Sequence, residues 1–291
     1  MTEWFIYILN GLYFASLIFL ISLGLNIILG VMGVLNLAHG SLYAIGAFMA
    51  AWTIITVGKV GTPAPIVYLS LLSGVLLAGF VGLLLERSLI RPMYKRALEY
   101  QLLITFGALL FLEDAIKMIW GGEAYYASGP FDILGSTNIL GSAYPLYFLF
   151  VMVITLVVGL LIWVFMAKTR VGVMLRALSL DREMATALGL ETSKLSTLAF
   201  VLGAALAGLA GALVVPTTPA LLGIGTEPLI LAFIVVVIGG LGSLKGAFIG
   251  SLIVGQTRSI GIVTFPEIEL AVLFLTAVII LVVKPEGLFG R

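Results

Sequence analysis

The feature that most constrains the fold is a series of long apolar runs, separated by short polar segments. A helix of about 20 apolar residues spans the hydrocarbon of a bilayer and satisfies its own backbone hydrogen bonds there. The predicted spans are Trp4–Leu29, Ala38–Val57, Ile66–Leu85, Gln101–Trp120, Leu146–Ala167, Thr197–Val215, Leu229–Ile238, Ala247–Phe265 and Ile268–Val283. The period-2 alternation of a transmembrane barrel is lacking. The sequence therefore predicts an all-α polytopic membrane bundle of eight or nine helices.

Several of these helices are predicted to be discontinuous. Gly30, Gly33 and Gly40 interrupt the first pair of spans, and the short span Leu229–Ile238 runs into a glycine-rich turn. Arg258 falls inside the eighth span, which makes that span a further candidate for a break. No connecting segment is long enough to fold alone. We therefore expect residues 1–291 to form a single transmembrane domain, with a polar segment at about 168–194 on one face.

Composition excludes several classes of function. Only 10% of the residues are charged, whereas soluble domains carry about 25%. The net charge of +1 argues against binding to nucleic acid, which needs a clustered excess of Lys and Arg. With no Cys and one His, thiolate and multi-histidine metal sites are excluded. The only Lys followed by Ser or Thr is Lys168, and Ala167 precedes it, so the chain has no Walker A loop.

The placement of basic residues predicts the orientation. If nine spans alternate, 12 of the 15 Lys and Arg residues fall on one side of the membrane. They are Arg87, Arg91, Lys95, Arg96, Lys168, Arg170, Arg176, Arg182, Lys194, Lys245, Lys284 and Arg291. Lys59 and Lys117 fall on the other side. The positive-inside rule then predicts a cytoplasmic C-terminus, and an even number of spans would reverse the side of the N-terminus.

His39 lies in a polar break, Asn36-Leu37-Ala38-His39-Gly40-Ser41. One interpretation is a buried His that caps a broken helix through its ring nitrogens, with Asn36 as the N-cap of the next helix. The other is a polar group that lines a translocation path, because irregular backbone at membrane depth is tolerated beside a cavity.

The fourth span carries Glu113, Asp114 and Lys117 at helical spacing. Lys117 lies three and four residues after the two acids, so it can neutralise either one on a single helix face. The spacing favours a structural ion pair near the end of the span. A coupling-ion site is the alternative, since charges within a membrane indicate function by default.

The segment from Arg176 to Lys194 predicts a short amphipathic helix. Asp181 is placed to cap its N-terminus, and Gly189 suits the position after its C-terminus. Met184, Ala187 and Leu188 fall on one face, and nothing in the chain is obviously there to cover them. Such a helix could lie on lipid headgroups or dock into the groove of a partner. The scarcity of Lys and Arg on the helix itself favours docking.

Small residues recur every four positions in three stripes, which predicts close packing between helices. The stripes are Gly74/Ala78/Gly82, Gly203/Ala207/Gly211 with Ala204/Gly208/Ala212, and Gly242/Gly246/Gly250.

Four segments in this order resemble the permease subunits of branched-chain amino acid ABC importers. They are Gly30 to Gly40, Arg176 to Gly189, Gly239-Gly240-Leu241-Gly242-Ser243 followed by Gly246, and Lys284 to Gly290. The second segment is also similar to the Glu-Ala-Ala-x-x-x-Gly pattern of ABC importers at Glu183, Ala185 and Gly189, with Met184 departing at the second position. By length the chain resembles the smaller of the two permeases of such systems.

The resemblance implies a bacterial inner-membrane protein that works with partners. These are a second permease, two cytoplasmic ATPases and an extracytoplasmic binding protein, so ATP and Mg²⁺ would bind to partner chains and this chain would carry no cofactor. The residues implied in coupling are Arg176, Asp181, Arg182, Glu183, Ala185 and Gly189. The candidates for the translocation path are Asn36, His39, Gly40, Gly239, Gly240 and Gly242.

Two other classes of function stay open. A secondary carrier driven by an ion gradient would use Glu113 or Asp114 as its coupling group. An intramembrane enzyme would have to use His39 as its base, without paired acids, a metal site or a Cys to assist it. Within the family that the chain resembles, the substrate could be a leucine-like amino acid, urea or a short amide, or an aromatic acid.

Overall fold

The computed structural model describes residues 2–58, 62–94, 96–264 and 266–290, so Lys59, Lys95, Arg291 and Phe265 lie outside the described residues. The helices are α1 (Thr2–Met32), α2 (His39–Val57), α3 (Ala64–Leu85), α4 (Leu98–Trp120), α5 (Gly129–Leu134), α6 (Leu146–Lys168), α7 (Arg170–Leu180), α8 (Arg182–Ala187), α9 (Thr192–Val214), α10 (Thr226–Gly239), α11 (Leu244–Thr264) and α12 (Glu269–Val283). Strands β1 (Ser136–Ile139) and β2 (Ser142–Pro145) form one antiparallel hairpin. The predicted all-α bundle is confirmed.

Each predicted span corresponds to one helix. Within the described residues, seven helices are long and apolar enough to cross a membrane. Helix α3 is extended to Met93 by π-helical and 3₁₀ turns, and α12, which has 15 residues, qualifies together with the 3₁₀ turn Pro266–Ile268. The other two spans are α4, which has 23 residues but carries charge at both ends, and α10, which has only 14 residues. The short helices α7 and α8 fill the polar segment that was predicted at about 168–194.

Helix α1 forms the centre of the bundle and packs against α6, α9, α10 and α11. Glycine makes the closest of these contacts possible. A Cβ on Gly24 would meet the backbone oxygen of Gly203, and one on Gly208 would overlap Ala78. The predicted small-residue stripes on α3 and α9 therefore face each other. Without a hydrophobic driving force between helices in lipid, such close backbone contact provides the packing energy.

Two helices begin inside the bundle rather than at its surface. The chain leaves α1 after Met32, passes Gly33 at φ +67°, and starts α2 beside the middle of α1, where a His39 ring nitrogen lies 3.0 Å from the Ile21 carbonyl oxygen. Helix α10 starts against the same place, because Gly225 and Gly40 are in backbone contact. The predicted interruption of the first span pair is confirmed at Gly33, whereas Gly30 and Gly40 lie inside α1 and α2. The seventh span is short, as predicted, but α10 is one continuous helix, and its start meets that of α2.

The prediction of a break at Arg258 is wrong, since α11 continues without interruption from Leu244 to Thr264. The charge is accommodated by its neighbours. Arg258 forms an ion pair with Glu227 at the start of α10, and its guanidinium lies 4.3 Å from the ring centroid of Phe14. A paired guanidinium over an aromatic face is tolerated in an apolar helix without loss of the backbone ladder.

Candidate coupling and translocation elements

Helix α8 is short, and both of its ends are capped. The Asp181 carboxylate accepts a hydrogen bond from the Met184 amide at 2.8 Å, which satisfies a free donor of the first turn. At the other end Gly189 adopts φ +82°, its amide donates to Thr186, and the Leu190 amide donates to Ala185. These two bonds form a Schellman motif, for which glycine is the favoured residue. The structure thus confirms both predicted caps and gives six residues a defined helical conformation.

The outer face of α8 is uncovered in the part of the chain that the structure describes. Met184 is 57% exposed and Leu188 is 73% exposed, and Glu183 and Ala187 are also exposed. We call Glu183, Met184, Ala187 and Leu188 the α8 face. On the opposite side Ala185 is buried, so it faces the bundle. An exposed apolar patch beside a rigid cap is typical of an interaction site.

Arg182 attaches α8 to the rest of the molecule. Its guanidinium carbon lies 4.6 Å from the ring centroid of Tyr94, and one of its nitrogens donates to the Ser196 hydroxyl at 3.4 Å. Tyr94 follows the extension of α3, and Ser196 lies in the first turns of α9. A cation over an aromatic ring is an attractive contact. The side chain therefore connects α8 to two membrane-spanning helices.

A buried carboxylate, Glu86, lies beneath this contact. It accepts hydrogen bonds from Arg91 at 2.9 and 3.1 Å, from the Thr197 hydroxyl at 2.9 Å, and from the Tyr94 hydroxyl. Burial, together with the hydrogen bond to Glu86, raises the pKa of the Tyr94 hydroxyl, which keeps it protonated as the donor. We call Glu86, Arg91, Tyr94 and Thr197 the Glu86 network. It joins the ends of α3 and α9 that lie next to α8.

The sequence did not predict the Glu86 network, because Glu86 directly follows an apolar run and has no charged residue at helical spacing that would mark it as paired. Glu86 and Arg91 are five residues apart, which on a regular α-helix does not put them on one face. The π-helical turn Glu86–Ile90 rotates the chain so that the two side chains meet. An acid directly after an apolar run, followed by Arg91-Pro92, was the only signal.

Asn36 and His39 are both fully buried. His39 does not cap a broken helix, since one ring nitrogen contacts the Ile21 carbonyl oxygen of α1 and the other has no hydrogen-bond partner. The N-cap of α2 is Ala38 rather than Asn36. The Asn36 oxygen accepts from the Ala38 amide at 3.1 Å in a local turn, and its side-chain nitrogen has no partner. His39 therefore joins the start of α2 to α1, and each of the two residues leaves one buried nitrogen without a hydrogen-bond partner.

The six candidate path residues form two groups, and α10 connects them. Gly40 packs against the start of α10, next to Asn36 and His39. Gly239, Gly240 and Gly242 lie at its other end. There Asn26 of α1 holds the turn, because its oxygen accepts from the Gly242 amide at 2.6 Å and its nitrogen donates to the Ser243 carbonyl at 2.7 Å. Asn26 is a second residue that sequence reasoning missed, since it lies within an apolar run.

The predicted ion pair in α4 is not formed. All three residues belong to the described part of the chain, and Lys117 lies within 4.0 Å of neither Glu113 nor Asp114. Asp114 and Lys117 are exposed and Glu113 is half-buried. Near a helix end, exposed side chains find water more readily than each other, and an exposed pair contributes little.

The sequence matches the family described as branched-chain amino acid transport system / permease component over residues 7–283. The chain belongs to this family. Among the similar curated proteins, this permease is 29% identical to the high-affinity branched-chain amino acid transport system permease protein LivH of Salmonella typhimurium, over 100% of this chain and 98% of that one. It is 28% identical to the corresponding protein BraD of Pseudomonas aeruginosa, over 98% and 95% of the two chains.

The permease is also 28% identical to the probable branched-chain amino acid transport permease protein LivH of Methanocaldococcus jannaschii, over 87% of this chain and 80% of that one. A solved structure, PsaBC from Streptococcus pneumoniae in complex with Fab, matches with a TM-score of 0.42 and 16% identity, over 94% of this chain and 89% of that chain. Family membership and the seven apolar helices together make the permease a multi-pass membrane protein.

Proposed function

We propose that the chain is a transmembrane subunit of an ATP-driven importer and forms half of the path for a branched-chain amino acid. The full-length similarity to high-affinity branched-chain amino acid permeases supports the substrate class. The observation that carries the proposal is the α8 face, which is uncovered, is apolar apart from Glu183, and is held rigid by two caps. A groove on a cytoplasmic ATPase is the partner that we assign to it.

The proposed coupling runs from α8 into the membrane. Closure of the ATPases on ATP and Mg²⁺ would displace α8, and Arg182 would carry the displacement to Tyr94 and Ser196. Glu86 ties Tyr94 to α3 and to Thr197 of α9, so the ends of these helices would move as one body. Rigid-body switching of this kind is a common mode of conformational change in transporters.

The proposed path follows α10. This helix starts against Gly40 in the middle of the bundle and ends in the turn Gly239–Gly242. The unsatisfied nitrogens of Asn36 and His39 lie near its start. When the helices separate, water or substrate would form hydrogen bonds with these two nitrogens. Those hydrogen bonds would stabilise the open state relative to the closed state, in which the nitrogens have no partner.

The remaining partners are proposed from the same family. They are a second permease that completes the path, two ATPases and an extracytoplasmic binding protein. With α7 and α8 in the cytoplasm, the positive-inside rule is satisfied and the C-terminus is cytoplasmic as well. The subunit would then lie in the bacterial inner membrane.

The test uses the complex reconstituted in proteoliposomes. ATP is supplied in the compartment that α8 faces, and labelled leucine with the binding protein is supplied on the opposite side of the membrane. We expect Leu188→Asp and Glu183→Lys to abolish ATP-driven uptake and co-purification of the ATPase, and to leave the fold unchanged. Leu140→Asp is the matched control, because Leu140 is 63% exposed in the turn between β1 and β2. ATPase that still binds both α8 variants, or uptake without ATP, would overturn the proposal.

One observation favours an ion-coupled carrier as the second candidate. Glu113 and Asp114 have no Lys117 ion pair, so they are free to bind a coupling ion. Uptake that an ionophore abolishes and that is lost in Glu113→Gln or Asp114→Asn, but is indifferent to ATP depletion, would support this candidate instead.

A further inference from the structure

A continuous groove runs along one side of the bundle between α1, α6 and α11. Its inner part, the slot, has a volume of about 580 Å³ and is lined almost entirely by apolar side chains such as Phe19 and Phe248. Its outer part, the mouth, has a volume of about 1040 Å³ and lies between the ends of α1 and α6, helix α7 and the glycine turn. The residues shared by both linings are Trp163, Leu244, Lys245 and Phe289.

The mouth is positively charged. Arg176, Arg182 and Lys245 line it, and no Asp or Glu of the described chain does. Within the described ranges none of the three forms an ion pair with a carboxylate. Arg182 is partly engaged by the Tyr94 ring, whereas Arg176 and Lys245 are exposed. The mouth thus offers several donors to an anion that has no partner within this chain.

We propose that the groove binds one anionic phospholipid, with its phosphate group against Arg176 and Lys245 and an acyl chain in the slot. Basic pockets between helices at a membrane face are suited to acidic headgroups, and an apolar slot that opens from such a pocket is suited to the chain attached to it. Trp163 lies where the two parts join, and Trp is enriched at the boundary between headgroups and hydrocarbon.

The charge pattern favours a lipid over a neighbouring protein helix. A helix laid in the slot would fill the apolar part, but it would leave Arg176 and Lys245 unpaired unless it also brought acids to one end. A phospholipid supplies both chemistries in one molecule. The groove is also separate from the α8 face, because Met184, Ala187 and Leu188 do not line it. The inference therefore does not depend on the transported substrate or on the ATPase.

The experiment uses the full-length protein, with any subunits that co-purify, after removal of endogenous lipid in a mild detergent. Dioleoyl phosphatidylglycerol, dioleoyl phosphatidylcholine and dihexanoyl phosphatidylglycerol are added separately. Binding is measured by native mass spectrometry and by the shift of the thermal unfolding midpoint. We expect one tightly bound dioleoyl phosphatidylglycerol per chain, and weaker binding of both other lipids, which lack the charge or the long chains.

Variants separate the two halves of the site. Lys245→Gln and Arg176→Gln are each expected to weaken phosphatidylglycerol binding roughly fivefold, the effect of one cation near an anionic surface. Lys168→Gln is the matched control on the same side of the bundle, since Lys168 is exposed but does not line the groove. Leu160→Trp, which narrows the slot, should abolish the preference for long chains and leave the headgroup preference intact.

Three results would overturn the proposal. They are equal binding of phosphatidylglycerol and phosphatidylcholine, an equal loss in Lys168→Gln and Lys245→Gln, and cross-linking of a photoreactive residue at position 156 to a second protein chain rather than to lipid. Because binding is measured without transport, failure here leaves the proposed function untouched, and failure of the uptake test leaves the lipid site untouched.

Discussion

The glycine-packed centre of the bundle and the α8 segment use the same residue type for opposite physical reasons. At Gly46 and Gly211 any side chain would overlap the backbone of a neighbouring helix, so glycine is required by distance. At Gly189 nothing lies within 4 Å, and glycine is required by φ +82°. In the centre, adding a side chain at one of these glycines would displace a whole neighbouring helix. The α8 segment is held by its own caps and by Arg182, which leaves its outer face available to a partner.

The largest expected effect lies where these two regions join. Glu86→Ala removes the buried carboxylate that accepts hydrogen bonds from Arg91, Tyr94 and Thr197, and of these only Thr197 keeps a carbonyl acceptor, that of Ser193. Removing one member of a buried pair costs about 3–5 kcal/mol. We expect about 3 kcal/mol, because Arg91 is 39% exposed and can reach water. The free energy of unfolding in detergent measures this loss.

The control for that variant is the exposed pair Glu191–Lys194, in which both side chains are more than half exposed. Glu191→Ala should change the free energy of unfolding by less than about 1 kcal/mol. Equal losses at the two glutamates would show that the Glu86 network contributes no more than a surface contact does.

The next effect compares one substitution at a glycine of α2 and at a glycine of α4. Gly46→Ala forces α2 away from Gly208 of α9 and should destabilise the fold by about 1–3 kcal/mol. Gly107→Ala, in α4 where nothing lies within 4 Å, should instead stabilise it by about 0.5–1 kcal/mol. Thermal unfolding midpoints of the two variants should therefore move in opposite directions, and a shift of the same sign would contradict the packing described here.

A smaller effect is expected at the cap of α8. Asp181→Ala removes the acceptor of the Met184 amide and should cost about 1 kcal/mol locally. Faster amide hydrogen exchange over residues 182–187 measures the loss. Asp181→Asn keeps an oxygen in place and should exchange at nearly the original rate. If both variants exchange alike, the carboxylate does not act as a cap.

The smallest effect on stability is expected on the α8 face. Leu188→Ser changes a side chain that is 73% exposed, so the free energy of unfolding should stay within about 0.5 kcal/mol of the original. Under the proposed function the same change weakens binding of the ATPase. A large loss of stability would mean that Leu188 is covered within the folded chain, and it would remove the contrast between the two regions.

Much of the architecture was predictable, because the bilayer restricts the choices. Long apolar runs must form helices, and the nine predicted spans correspond to nine helices. Local chemistry also predicted the caps of α8, since Asp181 and Gly189 act within a few residues of their own positions. The break proposed at Arg258 failed because its partners, Glu227 and Phe14, come from other helices.

What the sequence determined by itself was therefore whatever depends on neighbours along the chain: helical spans, glycine interruptions, caps and the amphipathic α8 face. Only the tertiary structure decided that the starts of α2 and α10 meet beside His39, that Asn26 holds the glycine turn, and that Glu86 joins α3 to α9. These contacts link residues far apart in the chain, and a π-helical turn sets one of them. Hydrogen bonds and close packing act over a few ångströms in space, so they cannot be predicted from the spacing of residues along the chain.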